Sequence, residues 1–146
     1  MIDKLKEKLG DKIKEIKVQN ERRIYLTIDR KDLKNIVNII FNEMGARYQI
    51  VSGIENFNNF ELIYHFSFDK ENGIIVSLRT FLDKEKPEIE SLADIIPGIV
   101  WIEREIWELL GINFVGHPNL KHFLLREDWP EKFYPLRKGE RENGRK

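Results

Sequence analysis

The sequence predicts an α+β fold: a small antiparallel or mixed sheet with one main helix packed on it, followed by a C-terminal helix and an irregular, aromatic-rich segment. Three observations predict this class. Apolar residues recur at helical spacing between 33 and 44, polar and apolar residues alternate between 60 and 82, and all three Trp lie between 101 and 129. The apolar stripe of the helix and the apolar faces of the strands are buried most simply when the helix packs on the sheet.

The first part of the chain has the predicted element order α-β-β-α-β-β-β. A short polar helix over residues 3–9 ends at Gly10, and Arg23 to Ile28 alternates like a half-buried strand. Asp29 is the predicted N-cap of the main helix, because its carboxylate can accept bonds from the free N–H groups of a first helical turn. The stripe of the main helix consists of Leu33, Ile36, Val37, Ile40 and Met44.

Three strand-like runs follow the main helix, at residues 47–52, 60–68 and 74–82. Asn72 and Gly73 lie between the last two runs. Both residue types tolerate the positive φ that a tight turn requires, so the sequence predicts a β-hairpin there.

The character of the chain changes after Pro87. One helical turn over 91–95 is expected to end at Pro97-Gly98, and a helix over 99–110 is expected to end at Gly111. From there to Arg137 the chain has no periodicity but is rich in aromatic residues. Irregular segments are normally polar because they run over the surface, so this one is expected to contact another surface.

These patterns predict one domain in three parts. Residues 1–86 form the α+β domain, and residues 87–138 add the second helix and a partner-contacting segment to the same domain. Residues 139–146 are interleaved acidic and basic residues, which are typical of a mobile polar tail.

Composition narrows the function classes. Lys+Arg and Asp+Glu number 25 each, and a balanced charge argues against nucleic acid as the main partner. The charged fraction of 34% also fits the surface of a thermophile protein. With no Cys, the chain has no disulfide, Cys-bound cluster or thiol nucleophile. No signal peptide or long apolar run is visible, so we expect a soluble, cytoplasmic protein that meets a membrane only through partners.

The residues that could perform chemistry are poorly spaced for it. His117 and His122 are five apart, which turns them about 140° from each other on a helix and prevents joint metal binding there. Glu103 and Glu105 flank Arg104, and helix residues two apart point in different directions. Two interpretations stay open: a solvated helix face, or a buried Glu paired with an Arg or Lys. We predict no catalytic, cofactor-binding or metal-binding residue.

Three ordered blocks, residues 103–112, residues 114–120, and residues 128–129 with 134–138, resemble a known family. Glu103 to Ile112 reads EREIWELLGI, which resembles the Glu-Arg-Glu signature of the complex I thirty-kilodalton subunit family, including the related subunits of membrane-bound [NiFe] hydrogenases. Glu108 stands where Asp is commonest in the family, which keeps the charge. The chain is also short for the family, which favours an archaeal or hydrogenase-type complex. The site residues in these blocks are Glu103, Arg104, Glu105, Gly111, Phe114, Gly116, His117, Pro118, Asp128, Trp129, Tyr134, Pro135, Leu136, Arg137 and Lys138.

The resemblance implies a non-catalytic connecting subunit in the hydrophilic arm of a membrane-associated respiratory oxidoreductase. Such a subunit carries no cofactor. It lies on the cytoplasmic side beside the large subunit, which has the quinone site or the [NiFe] centre, and the small iron–sulfur subunit. The electron donor, the acceptor and any pumped ion are properties of other subunits.

The resemblance also implies roles for individual residues. Arg104 and the flanking Glu residues fix their helix in a polar network, and the two glycines of the blocks allow tight turns. Trp129, Tyr134 and Leu136 act as anchors, while Arg137 and Lys138 meet acidic groups of a partner. Two alternatives remain: an adaptor domain unrelated to electron transfer, and a small stand-alone enzyme that uses a Glu or His of the signature.

Overall fold

Three α-helices and seven strands are present in the computed structural model, which describes residues 1–122, 124–130 and 132–138. The helices are α1 (Ile2–Leu9), α2 (Leu33–Asn38) and α3 (Val100–Leu110). The strands are β1 (Ile13–Asn20), β2 (Arg23–Ile28), β3 (Arg47–Glu55), β4 (Asn59–Phe68), β5 (Ile74–Asp83), β6 (Glu88–Glu90) and β7 (Asn113–Val115). The chain divides into two compact units, one of residues 1–52 and 61–81 and the other of residues 53–60 and 82–146.

The first unit contains α1, α2 and most of a five-stranded sheet with the order β1-β2-β5-β4-β3. Strand β1 pairs antiparallel with β2, and β2 pairs parallel with β5. The sheet is therefore mixed, and the predicted α+β class with one main helix is confirmed. Parallel pairing requires a long crossover between β2 and β5, and here it includes α2, β3 and β4.

The main helix is not uniform. Asp29 accepts a hydrogen bond from the Lys31 N–H at 3.0 Å, which caps the 3-10 turn that leads into α2, as predicted. After α2 the chain continues as a π-helical turn over Ile39–Glu43. Four of the five residues of the predicted stripe are buried, namely Leu33, Ile36, Val37 and Ile40, whereas Met44 after the π-helical turn is half-buried.

The predicted hairpin between β4 and β5 is present. Asn72 and Gly73 have φ values of 58° and 68°, the left-handed conformation for which these residue types were expected. The predicted apolar face of β4 is buried in the first unit, at Leu62, Tyr64, Phe66 and Phe68, and Ile63 and Ser67 of the opposite face are buried as well. The period-two pattern of the sequence thus gives the buried face of this strand correctly.

The second unit is organised around α3. A 3-10 turn over Pro97–Ile99 runs directly into the helix, so Pro97 begins this element rather than ending the previous one. Strands β6 and β7 pair parallel beside the helix. Gly53 lies against α3: a Cβ there would stand 3.0 Å from Leu110 Cδ1, so glycine permits the close approach. The core of this unit includes Ile89, Leu92, Ile99, Ile106, Ile112 and Phe114.

After β7 the described residues form turns and bends, with no strand and no complete helix up to residue 138. The predicted tail over 139–146 lies outside the described residues. In the described part of the chain, no helix is long and apolar enough to cross a membrane.

Candidate functional site

Helix α3 directs three charged side chains into the protein. Glu103, Arg104 and Glu108 are 0%, 5% and 1% exposed. Charged residues are almost never buried to this extent unless they have hydrogen-bonding partners. All three belong to the predicted signature, so their hydrogen-bonding partners decide what the signature does.

Glu103 holds the loop that precedes α3. The Ser91 hydroxyl donates to Oε1 at 2.6 Å, and the Leu92 N–H donates to Oε2 at 3.2 Å. Burial raises the pKa of Glu103 to about 7; the two hydrogen bonds oppose this rise and the charge of Asp94 adds to it. Of the two open interpretations, burial is the one observed for this residue. Its carboxylate binds a hydroxyl and a backbone amide, in place of the expected Arg or Lys.

Arg104 binds backbone carbonyl groups of the segment after β7. Its Nε donates to the Lys121 carbonyl at 3.1 Å, and Nη2 donates to the His122 carbonyl at 2.9 Å. The guanidinium also lies over the Trp101 ring, 5.3 Å from its centroid. Arg104 therefore ties the irregular segment to α3.

Glu108 lies one helical turn after Arg104, on the same side of α3. Its Oε1 accepts from the Leu124 N–H at 2.6 Å, and Oε2 accepts from the Leu125 N–H at 3.5 Å. Arg104 thus donates to carbonyl groups, and Glu108 accepts from amide groups, of the same stretch of backbone. We call Arg104, Glu108 and the backbone of residues 121, 122, 124 and 125 the α3 clasp.

His117 fixes the turn that follows β7. Its Nε2 lies 3.0 Å from the Val100 carbonyl, and its Nδ1 lies 2.9 Å from the Asn119 backbone nitrogen. A carbonyl only accepts and an amide N–H only donates, so Nε2 donates to the Val100 carbonyl and Nδ1 accepts from the Asn119 N–H. His117 and His122 both belong to the irregular segment, where the angle between positions on a helix does not apply.

Arg137 caps the C-terminal end of α3. Its Nε donates to the Leu110 carbonyl at 2.7 Å, where the end of a helix favours a cation. The guanidinium lies 4.4 Å from the centroid of Tyr134 and 5.1 Å from that of Phe60. The Leu136 N–H donates to the carbonyl of the preceding helix residue, Leu109, at 3.0 Å.

Gly111 permits this cap. Its φ is +77°, which L side chains rarely adopt. A Cβ at this position would also stand 2.5 Å from Tyr134 Cε2 and 2.6 Å from Arg137 Nη2. Gly116, with φ +83°, has no atom near such a Cβ, so it requires glycine for its conformation alone.

The other predicted site residues are divided between interior and surface. Phe114 is buried, Trp129 is half-buried and donates its Nε1–H to the Phe133 carbonyl at 2.8 Å, and Asp128 is exposed. Glu105, Tyr134 and Pro135 are half-buried, whereas Gly116, Pro118 and Lys138 are exposed. The exposed large apolar residues on α3 and the segment after β7 are Trp101, Leu124 and Leu136 at 56%, 57% and 41%.

The sequence analysis did not predict the roles of three residues in this arrangement, Glu108, Ser91 and Leu124. The four-residue spacing of Arg104 and Glu108 was available as a signal for one shared helix face. Ser91, whose hydroxyl binds Glu103, had no local signal, and Leu124 was counted only among the apolar residues of the segment. Within the described residues, no group of three or more His, Asp or Glu is arranged to hold a metal ion.

Comparison with known proteins assigns the chain to a class of respiratory-complex subunits. The profile of the family described as "Respiratory-chain NADH dehydrogenase, 30 Kd subunit" matches residues 26–146. The chain belongs to this family, and the resemblance of the three sequence blocks is confirmed.

Two relatives are similar to the chain over most of its length. It is 29% identical to a subunit of the F(420)H(2) dehydrogenase of Methanosarcina mazei over 141 residues, which cover 94% of this chain and 88% of that protein. It is 29% identical to the beta subunit of the membrane-bound hydrogenase of Pyrococcus furiosus over 126 residues, 82% of this chain and 70% of that protein. Other curated relatives are much longer, and the chain spans only 14% to 22% of three of them.

A solved structure has the same fold. A chain in the structure of the membrane-bound sulfane sulfur reductase, described as an archaeal respiratory membrane complex, superposes with a TM-score of 0.84 at 22% identity. The match covers 94% of this chain and 82% of that one.

Proposed function

We propose that the chain is a non-catalytic connecting subunit of a membrane-associated oxidoreductase, either complex I-like or an energy-converting hydrogenase. Its task is to hold the large subunit and the small iron–sulfur subunit in register within the hydrophilic arm, on the cytoplasmic side. Membership of the thirty-kilodalton family supports this proposal, as do relatives named as subunits of an F420H2 dehydrogenase and a membrane-bound hydrogenase.

The α3 clasp is the observation that carries the proposal. Arg104 and Glu108 bond to backbone groups of the chain itself, so they shape the segment after β7 instead of contacting a substrate. The segment then presents Leu124 and Leu136 to its surroundings, and Trp101 lies exposed on α3 beside the Arg104 guanidinium. A backbone that is fixed by hydrogen bonds and exposes apolar side chains to solvent is an arrangement suited to binding another protein.

Affinity purification from native membranes tests the proposal. The tag is placed at the N-terminus, so that the segment after β7 is left unmodified. The unmodified chain is expected to recover a large subunit and a small iron–sulfur subunit together. Recovery of the chain alone would contradict the proposal.

The substitution Arg104→Ala separates assembly from chemistry. It removes two hydrogen bonds to carbonyl groups from a buried cation site, so the recovery of complex is expected to fall at least about tenfold, the factor that corresponds to about 1.4 kcal/mol. Turnover per assembled complex stays unchanged. Arg47→Ala is the matched control, because that guanidinium is exposed, pairs with the exposed Asp69 and lies outside the segment after β7. Full assembly of the Arg104 variant with abolished turnover would indicate a catalytic role.

A further inference from the structure

Strands β6 and β7 of the second unit form a parallel sheet of only two strands. Ile89 and Phe114 are paired at its centre, and both side chains are buried. Successive side chains of a strand point to opposite faces, so Glu88 and Glu90 lie on the other face of β6. A sheet of two strands is marginal by itself, and a third strand adds hydrogen bonds and buried surface. The edges of this sheet are therefore the places where another strand can add.

The outer edge of β6 is open. At the two ends of this strand, the Pro87 carbonyl and the Ser91 N–H bond to β7 at 2.9 and 2.8 Å. Backbone groups of a strand alternate in direction, so the N–H and C=O groups of Glu88 and Glu90 point away from β7. Among the residues that the structure describes, these four groups have no hydrogen-bond partner.

The outer edge of β7 is closed. Its central residue, Phe114, uses its carbonyl to accept from the His117 N–H at 3.1 Å, so the chain turns back across this edge. A third strand therefore adds to β6, where backbone donors and acceptors are both available.

The side chains of β6 decide which strand fits. Glu90 is exposed, and Glu88 pairs with Lys86 at 3.5 Å, a weak pair because the ammonium is almost fully exposed. Opposite charges directly across a strand pair are stabilising, and like charges are destabilising. A second copy of β6, paired antiparallel over all three residues, would place Glu88 opposite Glu90. Self-pairing is therefore disfavoured, and basic residues are favoured opposite both carboxylates.

We propose that β6 binds an extended segment of a protein partner with the residue pattern basic–apolar–basic, which adds to the sheet as a third strand. The apolar residue lies beside Ile89 on the buried face, and the two basic residues lie opposite Glu88 and Glu90. Short, charged edge strands resist unspecific pairing, so the same carboxylates that exclude other strands select this one. That the segment belongs to a subunit of the same complex rests on the proposed function, whereas the pattern rests on the edge alone.

Titration of the full chain with the peptide acetyl-Thr-Arg-Val-Arg-Thr-amide tests the proposal by NMR. The amide signals of Glu88 and Glu90 are expected to shift to saturation. One matched probe, acetyl-Thr-Arg-Arg-Val-Thr-amide, has the same composition and charge without the alternation. A second is the first peptide with its three central amides N-methylated, which cannot add as a strand. Both are expected to bind at least about tenfold more weakly.

Two variants locate the binding. Glu90→Lys is expected to weaken binding of the first peptide at least about tenfold, because an attractive cross-strand pair becomes a repulsive one. Glu90→Gln, which removes the charge without reversing it, is expected to weaken binding about threefold. Glu85→Lys is the control, since it makes the same charge change at an exposed residue outside β6. Its affinity is expected to stay within about twofold, because salt screens exposed charges.

Three results would overturn the proposal: no saturating shift of the two amides, equal binding of either matched probe, or equal losses in Glu85→Lys and Glu90→Lys. Recovery of the intact complex together with no peptide binding would reject the edge assignment and leave the connecting role standing. Peptide binding by a chain that is recovered alone from membranes would support the edge assignment and contradict the connecting role.

Discussion

The Glu103 carboxyl makes the free energy of unfolding depend on pH. Its pKa is about 7 in the folded chain, against an ordinary value of 4.5. Below 4.5 both states are protonated. As pH rises from there to about 7, the unfolded chain loses this proton first, so stability falls, and the loss is complete above pH 7. With 1.36 kcal/mol per pKa unit, the loss amounts to about 3 kcal/mol.

The substitution Glu103→Gln is expected to abolish this dependence. Glutamine has nearly the same shape, its oxygen can accept from the Leu92 N–H and its NH₂ can donate to the Ser91 hydroxyl. Urea unfolding at about pH 4 is expected to give nearly equal stabilities, whereas at about pH 8 the variant is more stable by about 3 kcal/mol. The control is Glu127→Gln at an exposed position, which is expected to leave the pH dependence unchanged.

A variant that is less stable than the unmodified chain at about pH 8 would refute this reasoning. It would mean that the charge of Glu103 stabilises the fold through a cation, and that burial is not the dominant effect on its pKa. Equal stability at both pH values would mean that the carboxyl is well solvated.

Two further substitutions test the C-terminal end of α3. Gly111→Ala is expected to destabilise the fold by about 2 to 4 kcal/mol, because it combines left-handed backbone strain with a clash on the Tyr134 ring. Gly116→Ala is expected to cost only about 1 kcal/mol, from backbone strain alone. Urea unfolding measures both variants, and equal losses would show that the clash at Gly111 is relieved. Arg137→Lys removes the planar guanidinium that caps α3 and stacks on Tyr134, so the free energy of unfolding is expected to fall by about 1 to 2 kcal/mol. The control Arg126→Lys is expected to leave it unchanged. An unchanged stability of the Arg137 variant would show that a positive charge alone is sufficient.

Local patterns of the sequence predicted much of the fold. The stripe from Leu33 to Ile40 and the Asn72-Gly73 turn depend on neighbours within a few residues, and the structure confirms both. The parallel pairing of β2 with β5 joins residues about fifty apart in the chain, and no local signal specifies such a partner. The π-helical turn after α2 was not predicted either, because the spacing of apolar residues does not change where the helical pitch changes.

The candidate site follows the same division. The resemblance drew attention to Arg104 and Glu103, but it did not identify the groups they bind. Those groups are backbone carbonyls of residues 121 and 122 and the Ser91 hydroxyl, from 12 to 18 residues away in the chain. Backbone groups are present at every position and leave no trace in composition or spacing. Arg137 binds another such backbone group, the Leu110 carbonyl at the end of α3. Its contact with a partner stays a prediction.

Hydrogen–deuterium exchange of the Leu124 and Leu125 amides tests the central claim most directly, because these amides are held by Glu108 in the α3 clasp. Both are expected to exchange slowly in the free chain, faster in Glu108→Gln, and more slowly again in the purified complex, where partners cover the exposed Leu124 side chain. Fast exchange in the free chain would show that the clasp does not hold the segment. Equal exchange in the free chain and the complex would contradict the proposal that this segment binds the neighbouring subunits.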